Sequence, residues 1–268
     1  MGSLQLQGST SGSVTLIVPS VAGSSVLTLP AVTDTLVSLA ATQTLTGKTL
    51  TSAALSAGTA TAAPLNLTSG TNLTTATAGA MEYDGKVFYG TPQSTERGVI
   101  PGMQFFRLNN NLAGANVATV QSVFNVSVTL SGSTVYAFEA VYYFNKTAGA
   151  TSHTFGIGYG GSATLNNILW NAVGIDTSAT PPLRSTNFAE VASTSAANVA
   201  FTAAIASAAS TVVANIKGIV SINGGGTFTP QYTLSAAPGG AYSTMANSYF
   251  LIYPIGVNGV NTSVGAWA

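Results

Sequence analysis

The chain runs to 268 residues, 46% of them hydrophobic and 5% charged, with seven basic and seven acidic side chains and no cysteine. A net charge of zero excludes the positive patch that neutralises nucleic-acid phosphates, and the lack of cysteine excludes disulfides and thiolate metal sites. Because the charged fraction lies far below the usual share of about 25%, Ser, Thr, Asn, Gly and Ala must cover the surface, as they do on extracellular-type or assembly surfaces.

The hydrophobic share is ample for a core, while the apolar runs fall short of the ~18 residues of a membrane span. The opening MGSLQLQGST lacks the basic start and apolar block of a signal peptide. A soluble protein made in the cytoplasm, with neither nucleic acid nor membrane as partner, is expected.

Residues 1–80 carry only Asp34 and Lys48 as charges and no aromatic side chain. They cannot build an ordinary core and need another way to offset their ordering entropy. Val14, Leu16 and Val18 alternate before Pro19, and a second short strand ends with Leu29 before Pro30. Leu45, Leu50 and Leu55 then recur every five residues, followed by Leu65, Leu67 and Leu73 among threonines. Thin strands of this kind are marginal alone. Three identical chains around an axis would bury each leucine row and pair the open edges; the alternative is a low-complexity arm that orders on a partner. Residues 1–80 are thus a β-rich arm or shaft.

Residues 81–102 form a junction where charge concentrates, with Glu82, Asp84, Lys86, Glu96 and Arg97, and Arg107 just beyond. Met81 to Tyr89 predicts a tight hairpin turning at Asp84-Gly85.

From residue 103 to 268 strand signals dominate. Phe124 to Leu130 alternate, as do Tyr136, Phe138, Ala140, Tyr142 and Phe144, then Phe155, Ile157 and Tyr159. Val212 to Ile222, Phe228 to Leu234 and Tyr249 to Ile255 follow, separated by Gly, Pro, Asn and Ser turns. Roughly eight strands predict an all-β, antiparallel sandwich of jelly-roll type, a knob beyond the arm. Asn187 to Ser210 is alanine-rich enough for a helix and is also readable as two strands.

Motifs that imitate chemistry fail on spacing. Gly47-Lys48-Thr49 ends like a P-loop, but Thr42 stands where the first glycine is required and no helix pattern follows, so the stretch reads as a turn between Thr/Leu strands. Gly156 to Gly161 satisfies GxGxxG, yet its glycines occupy one face of a strand, with Phe155, Ile157 and Tyr159 on the other. That pattern marks close approach of another sheet or subunit rather than a dinucleotide. A single histidine, His153, excludes multi-histidine zinc sites, and no GxSxG elbow accompanies it. At the start of a strand, in Thr-Ser-His-Thr, it reads as a surface or turn residue. Glu82 and Asp84 share one face of a hairpin strand, a pattern open to glycosidase or calcium chemistry; with Lys86 beside them a local ion pair is the expectation. Five N-x-S/T sequons, at Asn66, Asn72, Asn125, Asn145 and Asn261, arise readily in so Ser/Thr-rich a chain. No catalytic residue, metal ligand or cofactor site is expected.

Several strings resemble segments of tailed-bacteriophage virion proteins: GSTSGSVTLIVP (8–19), SVLTLP (25–30), QTLTGKTLT (43–51), and PLNLT (64–68) running into GAMEYDG (79–85). They cover about the first hundred residues. Similar segments occur in tail fibres and in capsid-decorating fibres or cement proteins, and the resemblance implies a homotrimer with a β-rich shaft and a β-sandwich knob. The chain is shorter than most receptor-binding fibres and lacks the β-helix repeats of depolymerase spikes. It is therefore more similar to a decoration protein on the outer capsid surface, made in the host cytoplasm and partnered by itself and the major capsid protein. The alternative is a tail-fibre tip that meets tail proteins and a host surface glycan, and a third is a glycan-acting enzyme using the acids of residues 82 to 96. On the first reading Leu16, Leu29, Leu45 and Leu50 supply arm contacts. Tyr136, Phe138, Tyr142, Phe144, Phe155, Tyr159, Tyr249 and Tyr253 supply knob core or trimer contacts.

Overall fold

A computed structural model describes residues 3–7, 9–17, 53–176, 188–259 and 261–267. The chain divides into two compact units, Met1–Thr59 and Ala60–Ala268. In the first, β1 (Ser3–Gln7) and β2 (Ser13–Ile17) form an antiparallel hairpin in which Leu16 lies opposite Leu4. Leu16 thus falls on a strand, as its alternation with Val14 predicts. Leu29, Leu45 and Leu50, and the Gly47-Lys48 turn, lie outside the described residues.

The second unit opens with a stretch free of regular elements in which Leu65 and Leu73 are exposed. Next comes a small sheet of β3 (Met81–Tyr83), β4 (Phe88–Gly90) and β5 (Gly98–Ile100). Asp84 makes the predicted turn: its Oδ1 accepts from the amides of Lys86 (2.8 Å) and Val87 (2.7 Å), and Gly85 adopts φ 90°.

The remaining strands, in chain order, are β6 (Gln104–Arg107), β7 (Leu112–Ala113), β8 (Gln121–Ser122), β9 (Val128–Leu130), β10 (Thr134–Lys146), β11 (Phe155–Gly160), β12 (Thr164–Asp176), β13 (Phe188–Ser193), β14 (Val199–Ala200), β15 (Ser210–Gly224), β16 (Gly226–Leu234), β17 (Ser243–Thr244) and β18 (Tyr249–Val257). The large sheet runs β13-β12-β15-β10, then β18 and β6, with β17 and β7 continuing beside the end of β10. A smaller sheet runs β14-β11-β16, with β8 and β9 both on β16. Among the described residues every regular element is a strand, and the pairings are antiparallel.

The two sheets share one aromatic core. From β10, Phe138 meets Tyr159 of β11 at 5.2 Å between ring centroids and Phe228 of β16 at 6.0 Å; Phe144 meets Phe155 at 4.6 Å and Tyr232 at 5.1 Å. Trp170 of β12 stands edge-on to Tyr159 at 5.5 Å. Full burial of each such ring contributes roughly 1.5–3 kcal/mol, and these contacts hold the layers face to face. Gly218 lies opposite Phe138 in the β10–β15 register, where any Cβ would strike the ring.

Two departures from the sequence reading have physical causes. Phe124 to Ser127 is a bend rather than the start of a strand, because Asn125 takes φ 56° and its amide bonds to Ser122 Oγ at 2.9 Å; pairing begins only at Val128. The central strand β12 was not anticipated: its inward row is Ile168, Trp170, Ala172, Gly174 and Asp176, too mixed to read as an apolar face. In the alanine-rich stretch the two-strand reading holds, as β13 and β14.

The glycine face of β11 does mark a close approach, and the visitor is the same chain. Residues 195–199 cross it, with Tyr159 N bonded to Ala196 O (2.8 Å) and Trp170 Nε1 to Ser195 O (2.9 Å). A Cβ on Gly158 would sit 2.7 Å from the backbone of Asn198. Gly158→Ala is accordingly expected to cost about 1–3 kcal/mol by forcing the crossing segment away, read as a lower denaturation midpoint with an unchanged slope.

Candidate interaction surface

The predicted aromatic set divides between two environments. Tyr136, Phe138, Tyr142, Phe144, Phe155 and Tyr159 are buried between the sheets. Tyr249 and Tyr253 are half-buried on the opposite, outer face of the large sheet, while their neighbours Phe250 and Ile252 point inward.

That outer face is apolar to a degree unusual for an unpartnered surface. Leu169 is 60% exposed and Ile219 47%, and Val173, Ile175, Tyr143 and Phe188 are also exposed. They arise because these strands carry apolar residues on both faces, as in Ile168-Leu169, Val212-Val213 and Ile219-Val220. Such doublets are the sequence signal for a strand covered on both sides, and it was available from the residues alone. Near the middle of the face Lys217 Nζ and Glu139 Oε1 stand 3.6 Å apart, a solvated pair of little energetic weight.

Among the described residues β6 is the last strand at one margin of the large sheet. Phe105 is 56% exposed and packs against Tyr249 at 5.7 Å; Phe106 turns over the edge towards Phe124 at 5.5 Å. A cleft of about 300 Å³ lies beneath, lined by Phe105, Phe106, Val126, Val128, Pro230 and Phe250.

His153 is not at the surface: it is 2% exposed, and its backbone bridges to Ile205. Its Nδ1 donates to the Thr151 carbonyl (2.8 Å), so in the neutral ring Nε2 is left to accept from the Tyr242 hydroxyl (3.0 Å). Tyr242 lies 3.2 Å from Ser210 Oγ, which in turn lies 3.4 Å from Asp176 Oδ1. Histidine, serine and aspartate thus occur together, but a tyrosine separates the imidazole from the serine and all are buried. A nucleophilic triad needs the base on the hydroxyl and the hydroxyl open to substrate; this chain of bonds closes one end of the core instead. Beside it, Lys146 is 1% exposed, and its Nζ donates to the carbonyls of Ala148 (3.3 Å), Gly149 (2.5 Å), Ser207 (2.6 Å) and Ala208 (3.3 Å), 5.8 Å from the centre of the Tyr242 ring. Burial lowers the pKa of this amine.

The acids of the junction are structural ligands too. Glu82 pairs with Arg97, not with Lys86: Arg97 Nε donates to Oε2 at 2.8 Å, and the Leu73 amide donates to Oε1 at 2.6 Å. The Leu73 amide, then the Arg97 side chain, hold Glu82 below its ordinary carboxylate range against the opposing effect of burial. Asp84 spends its second oxygen on the Tyr89 hydroxyl (2.9 Å), and Lys86 reaches the Gly132 carbonyl (3.1 Å) instead. These contacts tie residues 70–73 to the small sheet, where Gly70 N also bonds to Tyr83 O.

No protein-family model, no curated protein and no solved structure matches the chain.

Proposed function

We propose that the chain is a non-enzymatic virion structural protein, a homotrimeric capsid decoration protein with a jelly-roll-like knob. The observation that supports this reading is the outer face of the large sheet, where Leu169, Val173, Ile175 and Ile219 are exposed on one side. A sheet that is apolar on both sides is built to be covered, and a neutral Ser/Thr surface elsewhere is suited to standing in a dense array. The resemblance of the first hundred residues to phage virion segments supplies the setting.

In this role the arm, with Leu16, Leu29, Leu45 and Leu50, lies across neighbouring capsid subunits, and the knob stands outward. One trimer touches several subunits at once, so modest contacts act together through high effective concentration and oppose the outward pressure of the packaged genome. Binding, not catalysis, is the activity. The engagement of Glu82 and Asp84 by Arg97, Leu73 and Tyr89 favours this over a glycan-acting enzyme.

The test is the copy number in purified particles relative to the major capsid protein, by quantitative mass spectrometry. A count comparable to the capsid protein is the expected result. A few trimers per particle would replace this reading with a tail-fibre tip that recognises a bacterial surface glycan.

A further inference from the structure

The charges at the two margins of the large sheet carry a further inference, which rests on the trimeric reading above. Arg107 of β6 and Glu190 of β13 occupy a single row across the sheet: Arg107 pairs with Tyr249, Tyr249 with Val141, Val141 with Asn215, Asn215 with Val173, and Val173 with Glu190. At about 4.8 Å per strand the two charges stand roughly 24 Å apart, well beyond the screening length of about 8–10 Å. They cannot serve each other within one chain. Among the described residues Arg107 bonds only to the neutral side chains of Asn247 and Asn109, and Glu190 is exposed with no ion-pair partner.

Each charge is set in its own apolar patch. Arg107 adjoins Phe105 and Tyr249 at one margin; Glu190 adjoins Val173, with Ile175 and Phe188 beside it, at the other. Between the patches lie Asn215 and the Lys217–Glu139 pair. A protein that meets its own copy through a twofold axis needs one self-complementary patch, whereas two different, mutually complementary patches specify a head-to-tail contact, which closes into a ring when the rotation between copies divides the full turn. The two patches match in both respects that matter: apolar area meets apolar area, and a guanidinium meets a carboxylate, the pairing that steers and registers an interface.

We propose that the knobs associate head to tail, with the β6 margin of one copy, carrying Phe105 and Arg107, seated on the β12–β13 side of the outer face of the next, carrying Val173 and Glu190. The occupant of the apolar face is a second copy of this chain. Arg107 and Glu190 then form an ion pair between copies, and three such contacts complete the ring.

The experiment is sedimentation equilibrium of the full chain and of charge-reversal variants, with circular dichroism to confirm folding. The wild type is expected to be trimeric. Arg107→Glu and Glu190→Arg each weaken association about tenfold or more, through a like-charge contact, and the double reversal R107E/E190R restores it. Leu169→Ser, at an exposed position on the same face, also weakens the trimer and keeps the test valid should Arg107→Glu disturb β6. A trimer indifferent to all three single substitutions overturns this contact and leaves the trimeric decoration reading standing. A monodisperse monomer at micromolar concentration overturns both the contact and the trimer.

Discussion

Replacing Lys146 with methionine is expected to lower the stability of the knob by about 3–5 kcal/mol, with a fall in Tm of roughly 10 °C for a unit of this size. Two effects compete. Removing a buried ammonium relieves its desolvation cost, and an apolar side chain of similar length fills the space, which alone can stabilise a protein. Four backbone carbonyls, those of Ala148, Gly149, Ser207 and Ala208, converge on that ammonium, however. Methionine leaves them facing a thioether that donates nothing, and an acceptor left without a donor costs about 1–3 kcal/mol wherever water does not reach it. The carbonyls decide the sign. Thermal unfolding followed by circular dichroism checks it, and a Lys146→Met variant as stable as the wild type would mean that water replaces the amine.

The second large effect is alkaline unfolding between about pH 10 and 12. Burial pushes Tyr232 and Tyr242 up to about 12, and burial with the Asp84 hydrogen bond does the same for Tyr89; burial raises Tyr142 and Tyr159 as well. A tyrosine raised in the folded state contributes stability that is complete below its unfolded value near 10 and disappears as the pH climbs through the folded value. A rise from 10 to about 12 corresponds to about 3 kcal/mol for each of the almost fully buried Tyr232 and Tyr242. Lys146 acts in the other direction: its folded value lies below the unfolded one, so its cost is present at neutral pH and is relieved as pH rises through the folded value. Stability should therefore hold or rise slightly on the alkaline side of neutrality and collapse above about pH 10. Denaturation midpoints taken at intervals from about pH 7 to 12 test the sequence of the two effects; a flat profile across that range would show that the tyrosines ionise without unfolding the core.

The sandwich was legible where large side chains mark one face of a strand. β10 is the clearest case, since Tyr136, Phe138, Tyr142 and Phe144 recur at every second or fourth position and all four are buried. In β18 the same logic gives no parity, because Tyr249-Phe250-Leu251-Ile252-Tyr253 is apolar on both faces; that Phe250 and Ile252 lie inside and both tyrosines outside is set by pairing with β10, not by the local string. β12 escaped because alanine, glycine and aspartate occupy three of the five positions in its inward row. His153 was misplaced for a related reason: Thr-Ser-His-Thr looks solvated, and the residue that buries the ring, Tyr242, lies 89 positions away. The interaction surface was half legible. Its apolar doublets stand in the sequence, but the row from Arg107 to Glu190 exists only once six strands are in register.

The same pairing has a consequence for how the protein is made. β10 pairs along its whole length with β15, Thr134 with Ile222 at one end and Lys146 with Ser210 at the other. A ribosome adding roughly 5–20 residues per second exposes the aromatic row of β10 for several seconds before even the first of its long partner strands, β15, has emerged. Folding of the knob is therefore non-local and slow to begin, and the nascent chain carries an open, sticky edge through that interval. Yield in a cell should depend on temperature and chaperone supply more than on the stability of the finished fold.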